Sequence, residues 1–250
     1  MKRNTRKKLV FIHGWGINSI IWSKILKFFS KNFLIYTIDI PGYKKNFIDA
    51  SFEELCDLIK KKIPKNAILL AWSLGGLFAI QCINQKKDDF LGCILVCCSP
   101  YFIEKENWSG VSEKIFLQFE NRVKTNRLQS IEKFLLLNFI KTKNCVHKFK
   151  KSKKDFLQKQ YIPCKRTLLQ GLDIIKNCDL RNSLKNIDIP LLRIYGRLDF
   201  LISEKCIKNI DVLVKKSKKK VFFLSGHAPF ISEKEQFVSV IEKFSKISFK

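Results

Sequence analysis

The chain has 250 residues, 46% of them hydrophobic, and a formal net charge of +26. This is apolar enough to bury a full core, which excludes a disordered chain; no run approaches the roughly 18 apolar residues of a membrane-crossing helix, so no membrane span is expected. The basic excess is 40 lysines against 8 arginines, scattered over nearly every predicted element with abundant phenylalanine, isoleucine and asparagine. That is the profile of an AT-rich coding sequence rather than of a nucleic-acid groove.

The first strand-like run is Leu9–His13, ending in His13-Gly14-Trp15-Gly16. The basic stretch Met1–Lys8 before it mimics the start of a signal peptide, but His13 and two glycines interrupt the apolar part, so mature sequence is expected. Trp22, Ile25, Leu26 and Phe29 share one helical face, and Phe33–Asp39 is the second strand. Ser51 and Glu54 form a capping box before a helix with Leu55, Leu58 and Ile59 on one face. Strands follow at Ala67–Ala71 and Leu91–Cys97. The alternation then stops: Ile115, Phe116, Phe119 and Val123, then Ile131, Phe134, Leu135 and Leu137, repeat at helical spacing. It resumes with strands at Leu191–Tyr195 and Val221–Leu224, and Ser232 with Glu235 reads as a second capping box before a final helix. Strands alternating with helices predict an α/β fold with a mostly parallel sheet, made of residues 1–99 and 183–250, with a helical cap inserted at 100–182. Nine cysteines lack metal-ligand spacing and several lie in apolar runs, as small core residues of a reducing cytoplasm.

Ser73 carries the most specific signal. An apolar run breaks at Ala71, the serine follows two residues later, and two glycines open a helix. A strand turning sharply into a helix through a serine holds the hydroxyl clear of the sheet above the helix N-terminus, the arrangement of a nucleophile elbow. The spacing is G-x-S-x-G with Ala71 for the first glycine, and residues two before and two after the serine are expected to approach each other and so be small. The alternative is a helix N-cap serine. Partners decide between them. His227 follows the last strand-like run, and Asp199 follows Leu191–Leu198; Asp173, Asp179 and Asp188 follow no strand. Ser73, Asp199 and His227 therefore fall on three strand exits in the chain order of an α/β serine hydrolase, and in a parallel sheet all such exits lie at one edge. His147, among lysines, reads as a surface residue, and His13 as a residue that orders its loop. The backbone N–H groups of Trp15 and Leu74 are the expected oxyanion donors.

The motifs HGWG at 13–16, WSLGG at 72–76, Ser99-Pro100, Tyr195-Gly196 with Asp199, and HAPFIS at 227–232 together resemble the α/β-hydrolases. Within them the resemblance is to the methyl ester esterases that act on carrier-bound pimeloyl chains in biotin synthesis, and it runs from about Leu9 to the final helix. It implies a serine carboxylesterase that cleaves the methyl ester of a pimeloyl chain on acyl carrier protein, without metal or organic cofactor. It further implies that Phe134, Leu135, Leu136, Leu137 and Asn138 touch the acyl chain, and that basic cap residues dock the acidic carrier. Lys133 and Lys150 stand where the family has arginines; Gln129 and Val146 stand at two other arginine positions. Lysine lacks the bidentate fork, so docking spread over more residues is expected. The loop Asp39–Asn46 keeps D-x-P-G but lacks the family's next glycine and serine. A soluble cytoplasmic monomer with no nucleic-acid or membrane partner is expected. A general esterase of small esters and a catalytically silent binding protein are the alternative readings, and for single residues of the 134–138 stripe or single lysines the alternatives are core packing and a solvated face.

Overall fold

The computed structural model describes residues 6–44, 46–138 and 162–249. Six parallel strands form one sheet in the order β2-β1-β3-β4-β5-β6, with β1 Lys7–Ile12, β2 Phe33–Ile38, β3 Ala67–Trp72, β4 Phe90–Val96, β5 Leu191–Gly196 and β6 Lys218–Phe222. Every residue of β3 is buried, as an unbroken apolar run in a parallel sheet covered on both faces requires.

Among the described residues the helices in chain order are α1 Leu26–Phe29, α2 Phe52–Lys60, α3 Leu74–Gln85, α4 Glu113–Thr125, α5 Arg127–Leu137, α6 Lys165–Asn177, α7 Arg181–Lys185, α8 Glu204–Leu213, α9 Pro229–Ser232 and α10 Lys234–Ser248. The connection from β1 to β2 runs one way along the sheet, and every later crossover runs the other. Right-handed crossovers then place α1 on one face and α2, α3 and α8 on the opposite one. An aromatic layer extends over the α1 face: Phe11 packs on Trp22, Trp22 on Phe230, and Phe230 on Phe237 of α10. On the other, Phe52 of α2 meets Phe78 of α3. The strand order reverses between β1 and β3, and ligands of open α/β sheets bind at the carboxyl ends beside such a point. Helices α4, α5 and α6 lie between β4 and β5 in the chain.

All six expected strands form, with one displaced. The last is Lys218–Phe222, not Val221–Leu224; Phe223 and Leu224 are 61% and 70% exposed. β6 is an edge strand, so lysines on its solvated side are tolerated and protect the edge, and the apolar run marks only its end. The capping box at Ser51 and Glu54 is present in both directions. The one at Ser232 and Glu235 is not: Glu233 is the N-cap of α10, and Ser232 ends α9 with its hydroxyl bonded to Ala228 O and Ser225 Oγ. The expected helix through Trp22 and Phe29 is split into a 3-10 turn, Ser19–Trp22, and the four-residue α1.

Candidate active site

Ser73 is held at φ 53° and ψ −122°, a conformation that side chains rarely adopt and that persists only when the surroundings impose it. Those surroundings are visible at the next two glycines. A Cβ on Gly75 would lie 2.3 Å from His13 O and 2.9 Å from Ile12 O. A Cβ on Gly76 would lie 2.3 Å from Cys98 Sγ. The small residue at position 75 is therefore required by the backbone leaving β1. Ala71 sits inside β3, paired with Ile12 and Leu95.

Three side chains from three strand exits meet here. His227 Nε2 is 2.9 Å from Ser73 Oγ, and His227 Nδ1 is 2.8 Å from Asp199 Oδ2. The other carboxylate oxygen, Oδ1, accepts the backbone N–H groups of Leu201 at 2.8 Å and Ile202 at 3.2 Å. Neither the imidazole nor the carboxylate side chain touches solvent. With Asp199 accepting, Nδ1 carries the proton and Nε2 is left as an acceptor for the serine hydroxyl. The three rival carboxylates are engaged elsewhere: Asp173 with Asn177, Asp179 with Arg181, and Asp188 with Lys87.

The loop carrying His227 is fixed by groups that the sequence pattern does not single out. Trp72 donates its indole N–H to His227 O at 2.7 Å and packs against the imidazole. Glu233 accepts from the Ser225 hydroxyl and from the Leu224 N–H. Phe200, 40% exposed, lies 5.9 Å from the imidazole centroid to centroid. Cys97, fully buried at φ 45°, brings Sγ within 4.8 Å of ligand atoms of both Asp199 and His227. Burial and the neighbouring Asp199 carboxylate push its thiol pKa well up, so it stays protonated beside the pair.

His13 takes no part in this relay. Its Nδ1 bonds Gly14 O at 2.8 Å, and its Nε2 accepts the Ile40 N–H at 2.9 Å, so the ring joins the loops after β1 and β2. Burial lowers its pKa to about 4, so it is neutral near pH 7. Gly14 lets that loop pass close to the elbow: a Cβ there would lie 2.9 Å from the Trp72 ring and 3.1 Å from Ser73 Cβ. The Trp15 side chain is clamped by a 2.9 Å bond from its indole N–H to Leu168 O and by edge contacts from Phe119 and Phe134. Among the described residues, the backbone N–H groups of Trp15 and Leu74 donate to no protein acceptor. Leu74 opens α3, so its N–H is one of the helix's free N-terminal donors.

A cavity of about 470 Å³ opens onto Ser73, lined mostly by apolar side chains of α4, α5 and α6 and of the loops after β4 and β5. Phe134 and Leu137 line it. Leu135 and Leu136 do not, and Asn138 turns its amide back onto Phe134 O. A helix offers i and i+3 to one side, so only two residues of the five-residue stripe reach the cavity, while buried Leu135 and Asn138 face the interior. Lys133 is exposed on α5; Lys150, with His147 and Val146, lies outside the described residues.

The sequence model of the α/β hydrolase fold family matches residues 7–234. The chain belongs to the α/β hydrolase family. This α/β hydrolase is 40% identical over 242 residues to a pimeloyl-acyl-carrier-protein methyl ester esterase of Wigglesworthia glossinidia brevipalpis, covering 95% of this chain and 93% of that protein. It is 35% identical to the protein of the same name from Hamiltonella defensa, covering 94% and 91%. Among solved structures, a bromoperoxidase from Bacillus anthracis superposes with a TM-score of 0.83 at 19% identity, covering 97% of this chain and 92% of that one. An enol-lactonase from Burkholderia xenovorans gives 0.80 at 15%, covering 98% and 94%. At such identities these two carry the fold alone. No helix among the described residues is long and apolar enough to cross a membrane.

Proposed function

We propose that this chain is a serine carboxylesterase that hydrolyses the methyl ester of a pimeloyl chain carried on acyl carrier protein, a step of biotin synthesis. The observation that carries the chemistry is the unbroken bond sequence Ser73–His227–Asp199 beside an apolar cavity. Full-length similarity to relatives named for this reaction supports the substrate.

In this reading Ser73 Oγ attacks the ester carbonyl while His227 Nε2 removes its proton. Asp199 holds the imidazole in the Nδ1–H tautomer and stabilises the cation that forms. The Trp15 and Leu74 N–H groups receive the oxyanion of the tetrahedral intermediate; loss of one such donor typically costs about 3 kcal/mol. The intermediate collapses, His227 returns the proton to the methoxy oxygen, and methanol leaves. Water, deprotonated by the same imidazole, then attacks the acyl-enzyme and releases the pimeloyl carboxylate. The chain's own residues perform every step.

Residues 100–182 act as the cap over this edge, with Phe134 and Leu137 against the acyl chain and Lys133 among the cations that face the carrier. A cytoplasmic location fits the free thiols of all eight described cysteines. The test is turnover of methyl pimeloyl carrier protein by the purified enzyme and by its Ser73→Ala variant. Release of methanol that depends on Ser73 supports the reading; hydrolysis of p-nitrophenyl acetate with none of the carrier-bound ester would reduce the protein to a general esterase. Charge reversal of Lys133 together with Lys150 should slow the carrier-bound substrate, with strong salt dependence, and spare a small ester.

A further inference from the structure

The cavity above Ser73 is apolar, but its rim carries two charged side chains, Glu104 and Arg122. Ile115, Phe119 and Arg122 repeat at i, i+4 and i+7 on one face of α4, and all three line the cavity. Phe119 lies against Trp15, which lines the same cavity as Ser73. Arg122 sits one turn further along α4, about 4.5 Å of helix rise beyond Phe119. Most other arginines of the described chain have a partner: Arg166, Arg181 and Arg193 pair with aspartates, and Arg6 and Arg127 donate to carbonyls. The Arg122 guanidinium has no hydrogen-bond, ion-pair or ring partner among the described residues, and Glu104 on the same rim is not within ion-pair distance of it.

We propose that Arg122 is a specificity residue that reads an anionic group at the end of the substrate remote from the scissile ester. This rests on the reading that Ser73 hydrolyses a methyl ester. With the ester carbonyl at Ser73 and the carbon chain along the apolar lining, the far end of the substrate emerges at the rim. A neutral chain would leave the guanidinium solvated and idle. A chain carrying an anionic oxygen acid, carboxylate or phosphate, meets a planar fork of donors that matches either. Two sources present that chemistry: the phosphodiester of a carrier's phosphopantetheine arm, and the free carboxylate of a half-ester. Glu104 opposes either, so its charge tunes the same preference in the other direction.

The experiment compares kcat/KM for four methyl esters: methyl pimeloyl-phosphopantetheine, its counterpart without phosphate, monomethyl pimelate and dimethyl pimelate. R122Q should lower kcat/KM roughly three- to tenfold for the anionic esters, mainly through KM, and leave the two neutral ones within about 1.5-fold. E104Q should raise kcat/KM for the same anionic esters. Raising ionic strength should slow the wild type on anionic esters and flatten that response in R122Q. A loss confined to the phosphate pair makes the carrier arm the ligand; one confined to the pimelate pair makes it a free carboxylate. Equal effects on charged and neutral esters, or none on any, would overturn the proposal, with dimethyl pimelate turnover reporting that the variant is folded. If wild-type enzyme hydrolysed none of the four, the esterase reading itself would fall, a result distinct from indifference to Arg122.

Discussion

Replacing Asp199 by asparagine separates the chemical role of this carboxylate from its structural one. Oδ1 of Asp199 accepts two backbone N–H groups, from Leu201 and Ile202, while Oδ2 faces His227 Nδ1. An asparagine must keep its carbonyl oxygen toward the two N–H groups, because its NH2 cannot accept from them. The amide NH2 then points at His227 Nδ1 and forces that nitrogen to accept. The imidazole proton moves to Nε2, which now donates toward Ser73 Oγ and cannot take its proton. A wrong tautomer of this kind costs about 10⁴ in kcat, or ~5 kcal/mol of transition-state stabilisation. The backbone bonds survive, so stability should change by less than about 1 kcal/mol. Asp199→Ala differs: it leaves the Leu201 and Ile202 donors unsatisfied and should destabilise by about 1–3 kcal/mol as well. The assay is p-nitrophenyl acetate hydrolysis, normalised by fluorophosphonate titration of the wild type, with urea denaturation of all three proteins. If Asp199→Asn kept a tenth or more of wild-type turnover, the inferred tautomer and the role of Asp199 would both be wrong.

Ser73→Ala should abolish methyl ester hydrolysis, and Ser73→Gly should be more stable than Ser73→Ala in thermal melts, since only glycine relieves the φ of 53°. Gly75→Ala should destabilise by more than about 3 kcal/mol in urea titrations and lose activity, because the added Cβ meets the backbone oxygens of His13 and Ile12, which cannot swing aside. His13 sets a pH dependence of stability. Its folded pKa of about 4 lies below the ordinary 6.5, so the unfolded chain binds more protons between these values. Stability should therefore fall as pH drops from about 6.5 to 4, by ~3 kcal/mol from this group, and denaturation of His13→Gln at the same pH values should lack that component.

The amino-acid sequence alone carried the strand count, the parallel class and the three strand exits that place Ser73, Asp199 and His227 at one sheet edge. These are local properties: apolar runs that end at glycine-bearing turns, and the fixed geometry by which parallel strands bring their carboxyl ends together. The family motifs were equally legible, because each is a short contiguous string. Other features depended on partners distant in the chain. Nothing near His13 in sequence tells that its Nε2 will meet the Ile40 N–H, or that Trp72 will hold His227 O. The need for glycine at 75 arises from the backbone leaving β1, more than sixty residues earlier. The last strand was misplaced because edge strands tolerate lysine, so hydrophobicity marks only its end. The Ser232 and Glu235 pair had the spacing of a capping box, yet Ser225 and Ala228 took the serine hydroxyl instead. Which residues of α4 and α5 face the cavity was decided by how those helices dock over the sheet edge. Helical periodicity yields a face but not its direction, so tertiary packing alone put Phe119, Phe134 and Arg122 around one cavity above Ser73.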